Sequence, residues 1–367
     1  MRVALVQHAF HSNTAGIILG LRSRGHQVLP ITNLPIRGGS AEPFVGAPPT
    51  IVPYDARSLK RFGGKGSYQR GTPEIARLVG ELRRFAPDVV IARDVRRASL
   101  IAFAVAKATG ARPVLWLMKP KLKFGPVRLL PLTHRLLPRT RFHSGYAGEF
   151  TEDVRLTRGV GVSRFLGLPL PWDEAQMPDA PPSRAPGRVR ILVISSFSNL
   201  TKRLPWVPEA VHRAGLGDTV DITFIGNGNT GSHQSTLVRE AEQRYGLRSA
   251  RFFVDATPEQ VRAEMREHDL LVHPSQKEQY GAVIPEAMSQ GLAVLCSDRC
   301  GAAACLEDGE SGVLFRSDSL EHFTEQLTWL VSDMDRRRRI GAAALERVRE
   351  NLTPTVWAER FEDLLSG

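Results

Sequence analysis

Apolar residues come along this chain in two alternating kinds of run. Short, nearly unbroken stretches (MRVALVQ, HQVLPI, PDVVIA, RPVLWLM) have the length and side chains of strands buried on both faces. Between them TAGIILGLRSRG, IARLVGELRRF and LIAFAVAKATG space their apolar positions three and four apart, which predicts helices. The first ends at Gly25, a residue type suited to the left-handed turn that closes a helix. The alternation restarts at RVRILVISS. Strands are then predicted at DITFIG, ARFFVD, DLLVHPS and LAVLCSD, with helices at PWVPEAVHRAG, STLVREAEQRYG, TPEQVRAEMREH and IPEAMSQG. Long helices follow over about 319–351 and over 353–366. Alternation of this kind implies parallel sheets with helices on both faces, and 367 residues exceed one comfortable core. Two Rossmann-like, doubly wound α/β domains are expected, at 1–172 and 188–352, joined by a proline-rich linker at 173–187. Such sheets bind ligands at the carboxyl ends of their strands, and a central cleft between two of them is the expected site.

Composition changes this picture little, and charge changes it more. With 42% hydrophobic and 24% charged residues the chain reads as globular. Its N-terminus reads as a first strand rather than a secretion signal, and no run reaches the length of a membrane span. Cys296, Cys300 and Cys305 follow neither a disulfide framework nor a zinc or iron–sulfur spacing, which points to a reducing cytoplasm. The net charge of +11 is uneven: residues 1–185 hold 28 Lys and Arg against 12 Asp and Glu, leaving 21 against 26 for the rest. Between Asp94 and Glu149 there are eleven basic residues and no acidic one. The basic stretch 95–148 leaves three readings open: peripheral attachment to the anionic inner membrane face, a pocket for an anionic acceptor, or a plain basic surface.

The densest candidate chemistry is HPSQKEQYGAVIPEAMSQG, residues 273–291. A buried strand ends here, a loop carries Glu278, and Pro285 fits the first turn of a helix that also holds Glu286. The amides around Gly281 would favour an anion, and the two carboxylates would accept hydrogen bonds from hydroxyls. A ligand with phosphates and several hydroxyls suits such a site, and a nucleotide sugar has both. Spacing alone leaves the plainer alternative open, in which Glu286 faces the helix dipole and Glu278 is a solvated loop acid.

The same stretch, continued by LAVLCSD, by CG at 300–301 and by LEDGESGVLF at 306–315, resembles the C-terminal domain of family 4 retaining glycosyltransferases of the GT-B fold. Weaker matches lie in VRILVISS with TKRLPWVPEA, in ITFIGNGN, and in RSRGHQVLPIT and FAPDVVIAR of the N-terminal half. The resemblance implies a metal-independent transfer of sugar from a nucleoside diphosphate, UDP favoured, to a hydroxyl of an acceptor, with no cofactor. It implies that Glu278 binds hydroxyls of the donor sugar and Glu286 those of the ribose. Tyr280, Gly281, Ala282 and Gly226 would line the donor, and Lys202, helped by Arg203, would neutralise the diphosphate as it leaves. Ala15 and Gly16 would approach the same diphosphate from the N-terminal domain. The helix of 353–367 would pack back on that domain.

The chain departs from the family pattern at Ser195-Ser196, where Gly-Arg is usual, and at Lys202-Arg203, where Lys-Gly is usual. Where the family often carries a histidine, this chain has Met118 and Lys119. His8, His11, Arg93 and Lys119 are the acceptor-side candidates, with a structural salt bridge as the alternative for Arg93. Asp333-Met334-Asp335 has a metal-binding look but starts a polar helix face, so no metal role is expected. Two other functions remain as alternatives: a sugar-nucleotide epimerase of the same fold, and a basic nucleic-acid-binding protein. The latter is disfavoured because no binding module is recognisable.

Overall fold

The computed structural model describes residues 1–10, 12–34, 49–57, 71–118, 137–144, 164–181, 187–226, 236, 239, 243–244 and 251–366. His11, Lys119, residues 119–136 and 145–148 of the basic stretch 95–148, and most of the predicted helix at STLVREAEQRYG lie outside them. Among the described residues no helix is long and apolar enough to cross a membrane.

The chain divides into two units, Met1–Asp173 with Thr353–Gly367, and Glu174–Leu352. In the first, seven strands pair in parallel in the order β3-β2-β1-β4-β5-β6-β7. These are β1 (Arg2–Gln7), β2 (Gln27–Thr32), β3 (Thr50–Ile51), β4 (Val89–Arg93), β5 (Arg112–Leu117), β6 (Arg141–His143) and β7 (Arg164–Phe165). The central strands run VALVQ and VVIA, fully buried because helices cover both faces. On one face Leu78, Leu82, Phe103 and Ala106 of helices Ile75–Phe85 and Arg97–Thr109 pack on Ala4, Val6, Val90 and Ala92. On the sheet's other flank the helix Pro354–Ser366 lies against the helix Ser12–Ser23, where Arg24 pairs with Glu359 at 3.0 Å and with Glu362 at 2.8 Å. Gly20 permits the approach, since a Cβ there would stand 2.0 Å from the Pro354 carbonyl oxygen.

The second unit has six parallel strands in the order β10-β9-β8-β11-β12-β13: β8 (Val189–Ile194), β9 (Val220–Gly226), β10 (Arg251–Val254), β11 (Leu270–His273), β12 (Ala293–Ser297) and β13 (Val313–Phe315). Strand sequence fits the position: β8, β11 and β12 are continuous apolar runs in the middle of the sheet. Its core joins Ile191, Val193, Phe224, Val272 and Leu295 to Phe323, Leu327 and Ile340 of the helices Leu320–Val331 and Met334–Asn351. The proline-rich segment is held to this unit at its start. Arg266 and Arg349 donate to the carbonyls of Gln176 and Pro178, at 2.8 and 2.6 Å.

Four strands lacked a sequence signal: β3, β6, β7 and β13 are two or three residues long, too short for any periodicity. They sit at or next to the sheet edges.

Candidate active site

In the second unit the strand order reverses between β8 and β11, the place where doubly wound sheets open a crevice beyond their carboxyl ends. Two loops leave the sheet there. After β8, Asn199 caps one 3-10 turn (Leu200–Lys202) by accepting from the Thr201 amide at 3.1 Å. Arg203 closes that turn at φ 48°, a left-handed conformation in which glycine is unstrained. After β11, the Gln276 amide donates to the Thr201 carbonyl at 2.8 Å and fastens the second loop to the first.

Glu278 is fixed by its own backbone. Its amide donates to the Arg299 carbonyl and its carbonyl accepts from Gly301, each at 3.1 Å. The carboxylate Oε1 accepts from the Gln279 amide at 3.1 Å, and Oε2 forms an ion pair with Lys202 Nζ. The structure thus joins Lys202 and Glu278, 76 positions apart in sequence. Burial pulls the Lys202 ammonium below the usual lysine value, and the contact with Glu278 opposes that by favouring the charged form. Arg203 is not brought to the pair. Its guanidinium donates to the Ser317 carbonyl and stacks 4.2 Å over the Trp206 ring.

His273, the last residue of β11, was not a sequence candidate, yet its Nε2 lies 3.8 Å from Glu278 Oε2. It is 3% exposed, and burial together with the Lys202 charge pushes it down to about 3, so it is neutral at physiological pH. The Ile194 backbone lies near the ring, and among the described residues neither ring nitrogen makes a bond of hydrogen-bond geometry. Its position at the carboxyl end of a buried strand was the available signal.

Glycines let the loops interlock. A Cβ on Gly301 would stand 2.1 Å from the Gln279 carbonyl oxygen, and Gly281 adopts φ 83° with the Cys300 sulfur 2.7 Å from its Cβ position. Tyr280 is turned inward, its hydroxyl 3.8 Å from the Cys305 sulfur. Among the described residues the amides of Gly281 and Ala282 donate to no protein acceptor. The short helix Val283–Met288 follows, with Glu286 in its first turn. Glu286 keeps part of its surface accessible but is set deeply enough that burial pushes its carboxyl up to about 7, against a weaker downward pull from Arg262. Its carbonyl accepts from Ser289 Oγ at 2.7 Å, and among the described residues Arg262 is the charge its carboxylate feels. Gly226, at the end of β9, leaves room for the loop after β8, because a Cβ would meet the Ser195 carbonyl oxygen at 2.2 Å.

In the first unit Ala15 is buried, and the open side of Gly16 faces the Leu170 carbonyl oxygen, 2.0 Å from a Cβ position. Packing inside the unit is therefore sufficient reason for that glycine. His8, just past β1, is 2.5 Å from the Tyr54 hydroxyl through Nδ1. Arg93 ends β4 with its guanidinium 4.8 Å over the Trp116 ring. Asp94 attracts the Arg93 charge, and its Oδ1 accepts from the Met118 amide at 3.0 Å. Asp333 uses its side chain as a helix cap, accepting from the Arg336 amide at 2.9 Å.

Two parallel doubly wound sheets in one chain define the GT-B fold. Anabaena HepE in complex with UDP superimposes with a TM-score of 0.75 at 14% identity, covering all of both chains. The lipopolysaccharide outer core galactosyltransferase WaaB does so with a TM-score of 0.70 at 14% identity, over 100% of this chain and 99% of that one. Residues 183–347 match the family Glycosyl transferases group 1. A D-inositol 3-phosphate glycosyltransferase of Nocardia farcinica is 32% identical over 116 residues, 32% of this chain and 25% of that protein. The sulfoquinovosyl transferase SQD2 of Arabidopsis thaliana is 25% identical over 90% of this chain and 65% of its own length. The chain thus spans between a quarter and two thirds of these curated relatives.

Proposed function

We propose that the protein is a retaining glycosyltransferase that moves a hexose from a nucleoside-diphosphate sugar to an acceptor hydroxyl. The acceptor class favoured is a cell-envelope lipid or polysaccharide precursor, or a small natural product. The observation that carries this reading is the pairing of Lys202 with Glu278 at the switch point of the second unit, beside two unengaged amides and the deeply set Glu286. UDP is the favoured leaving group, supported by the bound UDP and UDP-glucose of HepE.

The roles follow from charge. In a donor complex the Glu286 carboxylate accepts from both ribose hydroxyls. The amides of Gly281 and Ala282 face the diphosphate. When the donor arrives, Lys202 exchanges Glu278 for the diphosphate, and Glu278 turns to the sugar hydroxyls. As the anomeric C–O bond breaks, negative charge gathers on the diphosphate and Lys202 stabilises it. The acceptor oxygen bonds to the anomeric carbon on the face the diphosphate leaves, and its proton passes to a diphosphate oxygen. His8 and Arg93 serve the acceptor; Arg203 serves Lys202 by holding its turn.

A panel of nucleotide sugars assayed for nucleotide release and for the anomer of the product tests this. Lys202→Ala is expected to lower kcat by roughly 100-fold or more while the fold persists. Conversion of the donor to an isomeric sugar without acceptor would replace this reading with an epimerase.

A further inference from the structure

Beyond the carboxyl ends of β1, β3 and β4 the first unit gathers His8, Tyr54, Arg93 and Arg96. β1 and β4 are the strands between which its order reverses. Both guanidiniums carry a buried Nη1 that, among the described residues, has no acceptor. Burial pulls Arg93 below the usual arginine value, while Asp94 attracts its charge and Arg96 repels it. The nearest acid, Asp94, spends an oxygen on the Met118 amide at 3.0 Å. With one carboxylate against two guanidiniums, the two unmade hydrogen bonds favour an added anion.

The neighbouring groups extend the set of donors. Arg96 lies beside the Tyr54 hydroxyl, and burial pushes Tyr54 up to about 12, so the phenol stays protonated. That hydroxyl shares a hydrogen bond with His8 Nδ1, 2.5 Å away. Arg96 also stands at the N-cap of the 13-residue helix Arg97–Thr109 without capping it through its side chain. The Trp116 ring holds the Arg93 plane from one side.

We propose that these residues form an oxyanion subsite for a phosphate ester carried by the acceptor, with Arg93 and Arg96 as its principal ligands. Two forked donors arriving from different directions match the three oxygens of a phosphate better than the two of a carboxylate. The identity of the ligand as acceptor rests on the glycosyltransferase reading, while the anion site stands on this geometry. A phosphate ester has two sources, a soluble phosphorylated acceptor or a phospholipid headgroup.

The full chain is titrated with inorganic phosphate, and then with glycerol 3-phosphate, under saturating UDP and constant ionic strength, following thermal unfolding. Both are expected to raise Tm, with Kd at least roughly tenfold weaker in Arg96→Gln and in Arg93→Gln, while the UDP-induced shift persists. Arg96→Gln keeps the test open should Arg93→Gln misfold, because Arg96 is partly exposed at a helix end. Sedimentation with phosphatidylglycerol vesicles separates the sources: loss of vesicle binding in the variants assigns the site to a headgroup, and retention assigns it to a soluble ester. Phosphate and vesicle binding that are both indifferent to the two arginines overturn the proposal. Failure of UDP to shift the wild-type Tm would instead remove the glycosyltransferase reading and leave the phosphate comparison intact.

Discussion

Glu286 and Glu278 are both carboxylates at the ends of the same loop, and their surroundings give them different work. Glu278 is already neutralised by Lys202, while burial, only partly offset by Arg262, pushes Glu286 up to about 7. Below its ordinary value of 4.5 the group is protonated in both folded and unfolded chains. As pH rises towards 7 the unfolded chain releases the proton first, so this residue's contribution to stability falls, by roughly 3 kcal/mol in all. Nucleotide binding has the opposite sign, because ribose hydroxyls need the ionised carboxylate. UDP affinity is therefore expected to fall up to about tenfold per pH unit below 7, and calorimetry on Glu286→Gln is expected to lose that dependence. The nucleotide's own phosphate titration is common to both proteins and cancels in the comparison. Equal pH profiles would detach Glu286 from the ribose.

At the level of elements, the site depends on two loops that lock through glycine. Gly301 has backbone atoms of Gln279 and Tyr280 within 2.9 Å of a Cβ position, none of which yields by rotating a side chain. Gly301→Ala is expected to destabilise the protein by about 1–3 kcal/mol and to weaken UDP binding as the Glu278 loop shifts. Gly80, in the helix Ile75–Phe85, has nothing within 4 Å of that position. Gly80→Ala is expected to stabilise by about 0.5–1 kcal/mol. Thermal unfolding of both variants checks the pair, and similar shifts in the two would refute the loop-locking account. These loops also show what the sequence left unread. The acids stood out in HPSQKEQYGAVIPEAMSQG, but the partnership of Glu278 with Lys202 is a product of strand order. His273 looked like an ordinary strand-end residue, and only three-dimensional packing puts its ring beside Glu278. Arg203 is the converse case: adjacent to Lys202 in sequence, it points to Ser317 and Trp206.

Across the whole molecule the long periodic segments were legible. Apolar runs such as VALVQ and RILVI must be buried on both faces, and that alone implies parallel sheets with helices around them. The chain's return at Thr353 to the first unit was legible only through resemblance, and the structure ties it there by Arg24 with Glu359 and Glu362. The edge strands β3, β6, β7 and β13 were not, because two or three residues carry no period. The paired amides, Lys202 and Glu286 make one testable whole: a site for a nucleoside diphosphate in the second unit. The most direct measurement is calorimetric titration of UDP into the wild-type protein and into Glu286→Ala, with thermal unfolding to verify the fold. The account predicts binding by the wild type and at least tenfold weaker binding by the variant, the loss of about 1.5–3 kcal/mol expected for hydrogen bonds to a charged group. Equal affinity in a folded Glu286→Ala protein would contradict it.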